Sequence, residues 1–118
     1  MRYMLLIYGD ESRQAEMSEE EGKQNMQAWF AYTDDLAAQG IMRAGDALQP
    51  SMTGKTVRGP GTGTVTDGPH GEAREQMGGY YVLECDEAAA LAAAAACPAV
   101  LFGGAVEVRP IMELPPRG

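Results

Sequence analysis

"MRYMLLIYGD", residues 1–10, carries an apolar run from Tyr3 to Tyr8 that ends at Gly9-Asp10. The segment Arg2 to Tyr8 is rich in β-forming side chains and short, which predicts a strand. Side chains alternate along a strand, so Tyr3, Leu5 and Ile7 point one way and Met4, Leu6 and Tyr8 the other. A strand with one face in water alternates polar with apolar; this one is predicted to be covered on both faces.

Downstream, Ser18-Glu19-Glu20-Glu21 has the capping-box spacing that opens a helix, predicted to run to about Gln39. Its inward stripe reads Met26, Trp29, Phe30, Thr33, Leu36 and Ala37, and Gly40 supplies the left-handed residue that ends it. Ile41 to Leu48 is a second extended segment. Lys55 to Arg58 and Thr62 to Thr66 flank "GPG" as the arms of a hairpin. Pro69 to Gln76 reads as a short helical turn, and Gly79 to Cys85 as the next strand. Asp86 caps a second helix, Glu87 to Ala96, which Pro98 stops. Ala105 to Arg109 is the last strand.

Strand, helix, strand, hairpin, strand, helix, strand is a ferredoxin-like α+β layout, with two helices on one face of an antiparallel sheet. Two helices cover only one face, yet the first strand is apolar on both. A second copy packed sheet to sheet is the simplest cover, so a homodimer with a cavity between the sheets is expected.

The 118 residues fit a single domain over positions 1–118, and a 45% hydrophobic, 22% charged composition is that of an ordinary globular chain. The net charge of −8 divides into −3 over residues 1–59 (six basic, nine acidic) and −5 over residues 60–118 (three basic, eight acidic). Scattered Lys and Arg argue against direct binding to nucleic acid or to anionic membranes. No segment approaches the roughly 20 apolar residues of a membrane span, and the opening run is too short for a signal peptide. Cys85 and Cys97 lack a CxxC spacing and read as two reduced thiols, which points to the cytoplasm.

His70, the only histidine in the chain, sits in "TDGPHGEAREQMGGYY", Thr66 to Tyr81. Asp67, Gly68 and Pro69 make a turn on their own terms; His70 is the member the turn does not require. One reading makes its imidazole an acid/base near physiological pH, with Asp67 orienting the ring and Glu72 or Glu75 handling protons. The other makes it a turn residue that packs as a planar ring and is linked to Arg74. Tyr8 and Asp10 close the first strand, where function often sits on a rigid scaffold. Arg109 either pairs with Glu107 on the last strand or clamps an anionic group. A single histidine falls short of the usual zinc set, so no metal is expected, and phosphate-loop, dinucleotide and serine-nucleophile motifs are absent, so no cofactor is expected either.

Asp67-Gly68-Pro69-His70-Gly71-Glu72-Ala73-Arg74-Glu75, followed by Gly78-Gly79-Tyr80-Tyr81, resembles the hallmark of the DGPF branch of the YCII-related proteins. That hallmark reads Asp-Gly-Pro-Phe-Ala-Glu-Thr-Lys-Glu and then Gly-Gly-aromatic. "MRYMLLIYGDE", "GDALQP" and "EVRPI" extend the likeness over nearly the whole chain, with His70 standing in place of the phenylalanine. The resemblance implies a ferredoxin-like fold forming a dimeric α/β barrel. On activity it implies less: some relatives are enzymes, and others of the branch are encoded with or joined to alternative sigma factors. Two functions are therefore carried forward. One is a cofactor-independent lyase or isomerase with His70, Asp67 and Glu72 as catalytic residues and Tyr8, Asp10 and Arg109 placing a small organic ligand. The other is a non-catalytic regulatory partner.

Overall fold

β1, Arg2–Gly9, is an interior strand, flanked by β5 (Gln76–Glu84) and β6 (Ala105–Pro110), both antiparallel to it. The computed structural model describes residues 1–61, 63–71 and 73–117. β2 (Met42–Ala47) pairs with the far side of β5, giving the order β2-β5-β1-β6 in a four-stranded antiparallel sheet. Between β1 and β2 run α1 (Glu11–Ala15) and α2 (Glu19–Ala38); between β5 and β6 run α3 (Glu87–Ala95) and α4 (Pro98–Leu101). This mixed α+β arrangement is consistent with the ferredoxin-like layout. Among the described residues β3 (Lys55–Arg58) and β4 (Thr64–Asp67) pair only with each other, as a separate two-stranded sheet.

The alternation in β1 is the one its sequence dictates. Tyr3, Leu5 and Ile7 are buried while Met4, Leu6 and Tyr8 are half-buried on the opposite side. On the covered side, Leu5, Ile7, Tyr81 and Leu83 meet Tyr32 and Leu36 of α2, Ala93 and Ala94 of α3, and Cys97. The small alanine side chains let α3 lie close to the sheet. Gly45 faces the same layer, where any Cβ would come within 2.7 Å of the Tyr81 ring.

On the other face of the sheet Met4, Leu6 and Tyr8 are half-buried and lie outside the core cluster formed with the helices. Leu6 lies between Tyr80 and Glu107, and Met4 between Val82 and Arg109. The molecule measures 50 × 44 × 18 Å. Its least dimension is the depth of one sheet and one helix layer at about 10 Å each.

Three expectations are corrected and two elements are new. The buried stripe of α2 is turned towards Tyr32: Leu36 is buried, Trp29 and Thr33 are half-buried, and Met26, Phe30 and Ala37 are exposed. The cause is Tyr32 itself, whose hydroxyl donates to the Ala93 carbonyl at 2.7 Å and whose ring meets Trp29 and Tyr81 edge to face. The described residues between Pro69 and Glu75 form bends and no helix, because Gly68 at φ +95° leaves the helical region and Gly71 follows close by. Two short helices were not anticipated: Asp10 caps α1, and Pro98, besides stopping α3, begins α4 at a position where its missing N–H costs nothing. The hairpin's second arm begins at Thr64, and Thr62 lies outside the described residues.

Candidate functional site

A cleft of about 830 Å³ opens at the end of β1, walled by Tyr8, Asp10, Arg13, Arg74, Glu75 and Glu107 over a floor that includes Ala105 and Val106. Each wall arrives for a local reason. Tyr8 follows an irregularity in the β1–β5 pairing, where Ile7 faces Gly79 but Tyr8 faces Met77, leaving Gly78 as the extra residue. Such bulges re-aim side chains at strand ends. Its hydroxyl stands 3.5 Å from Glu107 Oε1.

Asp10 turns the chain from β1 into α1, its carboxylate accepting from the Ser12 amide at 3.0 Å and the Ser12 hydroxyl at 2.5 Å. The hydroxyl contact is the main reason that this carboxyl is held below the usual range, opposed by burial and helped by the Arg74 charge. Asp10 therefore stays ionised. The next residue anchors the segment: Glu11 accepts from the Ser51 amide at 2.7 Å and the Ser51 hydroxyl at 2.8 Å, while its own amide donates to Gln76 Oε1 at 3.0 Å. Arg13, one turn on, lies against Gly103, where a Cβ would approach its guanidinium to 2.9 Å. Gly104 beside it is equally constrained, since a side chain there would collide with the Tyr8 carbonyl.

A second, smaller opening of about 500 Å³ lies alongside, lined by Ser12, Ser51, Met52, Pro69, Gly71 and Gln76 among others. Asp10, Ala73 and Arg74 border both.

Of the residues singled out in the sequence, Tyr8 and Asp10 come together here. Arg109 lies on the open sheet face with its Nε 4.0 Å from Glu107 Oε2, the pairing that their shared face allows, and it is not in the cleft wall. Asp67 ends β4 and holds Lys55 at 2.5 Å. His70 is exposed, and its Nδ1 lies 3.0 Å from the Arg58 guanidinium, in place of a link to Arg74. A guanidinium only donates, so in this contact Nδ1 is the acceptor. Glu72 lies outside the described residues. Glu75, a candidate proton handler in the sequence, also lines the cleft; Arg13 carries no sequence signal, and Arg74 and Glu107 are expected from sequence only as partners of His70 and Arg109. Chain separation hid them: nothing local marks Arg13 and Arg74 as neighbours of one hollow.

Among the described residues no three His, Cys, Asp or Glu side chains are grouped to hold a metal ion, and no helix is long and apolar enough to cross a membrane.

Comparison with known proteins relates the chain to a domain family and to a bacterial protein. A family model described as "YCII-related domain" covers residues 1–115. An uncharacterized protein of Rhizobium meliloti (strain 1021) is 33% identical over 86 residues, spanning 72% of this chain and 69% of that protein.

Proposed function

The chain belongs to the YCII-related domain family, and on that footing we propose that it acts as a homodimer, sheet against sheet, whose clefts take up a small organic molecule. There it moves protons as a lyase or isomerase does, without a resident cofactor. One observation carries this reading: Tyr8, Ala105 and Glu107 belong at once to the open sheet face and to the wall of the 830 Å³ cleft. A second sheet packed on that face roofs the cleft, excludes water and strengthens every charge inside it.

Within the roofed cleft, the Tyr8 hydroxyl and the Glu107 carboxylate are the groups placed to give and take a proton. Asp10, held ionised by Ser12, serves as a fixed negative charge that orients the ligand. A second assignment within the same reading gives the acid/base role to His70, with Asp67 orienting it, Glu72 handling protons and Arg109 clamping an anionic group. It is favoured by Pro69 and Gly71, the neighbours of His70, lining the adjoining opening. We assign the chain to the DGPF branch on its Asp67-to-Glu75 run, and to the cytoplasm on its two free cysteines.

Hydrogen–deuterium exchange tests the chemistry. The full chain in D2O is mixed with small enolisable carbonyl compounds, and exchange next to the carbonyl is followed by NMR. At least one compound is expected to exchange faster than in buffer, with a loss of about 100-fold in Tyr8→Phe or Glu107→Gln. A comparable loss in His70→Phe alone would transfer the role to His70. If no compound exchanges faster than in buffer, the enzymatic reading fails. A non-catalytic role beside an alternative sigma factor, using the exposed Met26 and Phe30 of α2, is then favoured.

A further inference from the structure

We infer that Arg13 and Arg74 form a carboxylate-binding pair, and that the cleft's occupant is a small hydroxycarboxylate with one negative charge. The inference rests on the cleft being the ligand site.

The charges of the wall sort into committed and uncommitted groups. Asp10 is taken up by Ser12, and Glu107 stands between the Tyr8 hydroxyl and Arg109. Neither Arg13 nor Arg74 forms an ion pair with a described carboxylate. Both residues nevertheless line one hollow, Arg13 from α1 and Arg74 from the bend before β5. Arg13 is exposed and lies beside Gly103, where a Cβ would come within 2.9 Å of Nη1. A planar fork of donors with no committed partner can match a carboxylate with two parallel hydrogen bonds.

The other end of the cleft differs. Tyr8 and Glu107 are 3.5 Å apart, at the outer limit of a direct hydrogen bond. A ligand hydroxyl to one side of both, at hydrogen-bond distance from each, can accept from the phenol and donate to the carboxylate. Ala105 and Val106 supply an apolar floor for the carbon body. Glu75, the third carboxylate of the wall, together with the chain's net charge of −8, sets the field against a dianion.

Isothermal titration of the full chain with lactate, mandelate and para-hydroxybenzoate, each beside its neutral amide, decides the matter. At least one acid is expected to bind, with its amide at least tenfold weaker. Arg13→Gln and Arg74→Gln should each weaken the acid tenfold or more and leave the amide unchanged, while Arg2→Gln, far along the sheet, changes neither. Circular dichroism of the variants confirms that the fold persists. Equal binding of acid and amide, or retained acid affinity in the double Arg13→Gln/Arg74→Gln variant, overturns the pair. If Tyr8→Phe still abolishes that binding, the cleft stands as the ligand site without its carboxylate clamp. Failure of every acid and amide to bind overturns both the pair and the site.

Discussion

Phe30 and Tyr32 stand two residues apart on α2 and meet opposite fates: Phe30 is 63% exposed and Tyr32 is 7% exposed. Two residues subtend about 200° around a helix, so only one of them can face the sheet. Apolar spacing alone favours Phe30. Tyr32 prevails because its hydroxyl finds the Ala93 carbonyl while its ring fills the space between Trp29 and Tyr81. A polar tip with a buried partner is invisible in a hydrophobic pattern, whereas Leu36, with no such option, was placed correctly. Leu36, 1% exposed, should therefore lose about 3 kcal/mol on substitution by Ala, against less than about 0.5 kcal/mol for Phe30→Ala. Urea unfolding of the two variants reads the difference directly; equal losses would mean that α2 buries the other stripe. The same limit governs the site. Tyr8 and Asp10 were legible because a strand end announces itself locally, while Arg13 and Arg74 become neighbours only through the tertiary fold.

At the scale of elements, the strands and the two long helices were legible because periodicity and caps agreed. Ser18 accepts from the Glu21 amide at 3.1 Å, and Glu21 accepts from the Ser18 amide at 3.2 Å, the reciprocal box its sequence spells. Ser18→Ala should lower stability by about 1 kcal/mol near neutral pH, seen as a lower urea midpoint. The glutamate half of the box also has a pH signature. Hydrogen bonds from the Ser18 amide and then from its hydroxyl hold the Glu21 carboxyl below its ordinary range. A depressed folded-state value stabilises the fold above the unfolded value, and that contribution is lost as pH falls through the folded one. The urea midpoint of Glu21→Gln should thus fall less than that of the parent on acidification through the carboxylate range; parallel curves would contradict the box. Less legible were the short pieces. α1 depends on Asp10 meeting Ser12, and α4 on a proline that both ends one helix and begins another. The run from Pro69 to Glu75 has helix-forming residues but also a left-handed Gly68 at its entrance, and that backbone geometry overrides propensity.

At the scale of the whole molecule, a radius of gyration of 16.3 Å exceeds the roughly 13–14 Å of a compact chain of this length. The excess follows from having two layers only, with a separate hairpin and an extended carboxy-terminal segment tied to β1 by Arg2 and Glu113 at 2.9 Å. This face bears the half-buried Met4, Leu6 and Tyr80 at its centre, beside a Val82 that is already buried, and charges at its margins, the pattern of an interface core and rim. Tyr80 has its hydroxyl satisfied by Asp46 at 2.6 Å, so it can be enclosed without leaving a donor unmet.

Light scattering of the purified chain at micromolar concentration, with Leu6→Asp measured beside it, tests this directly. The account predicts twice the chain mass for the parent and the mass of a single chain for Leu6→Asp, with the same circular dichroism for both. A single-chain mass for the parent, or an undiminished dimer in Leu6→Asp, would contradict it.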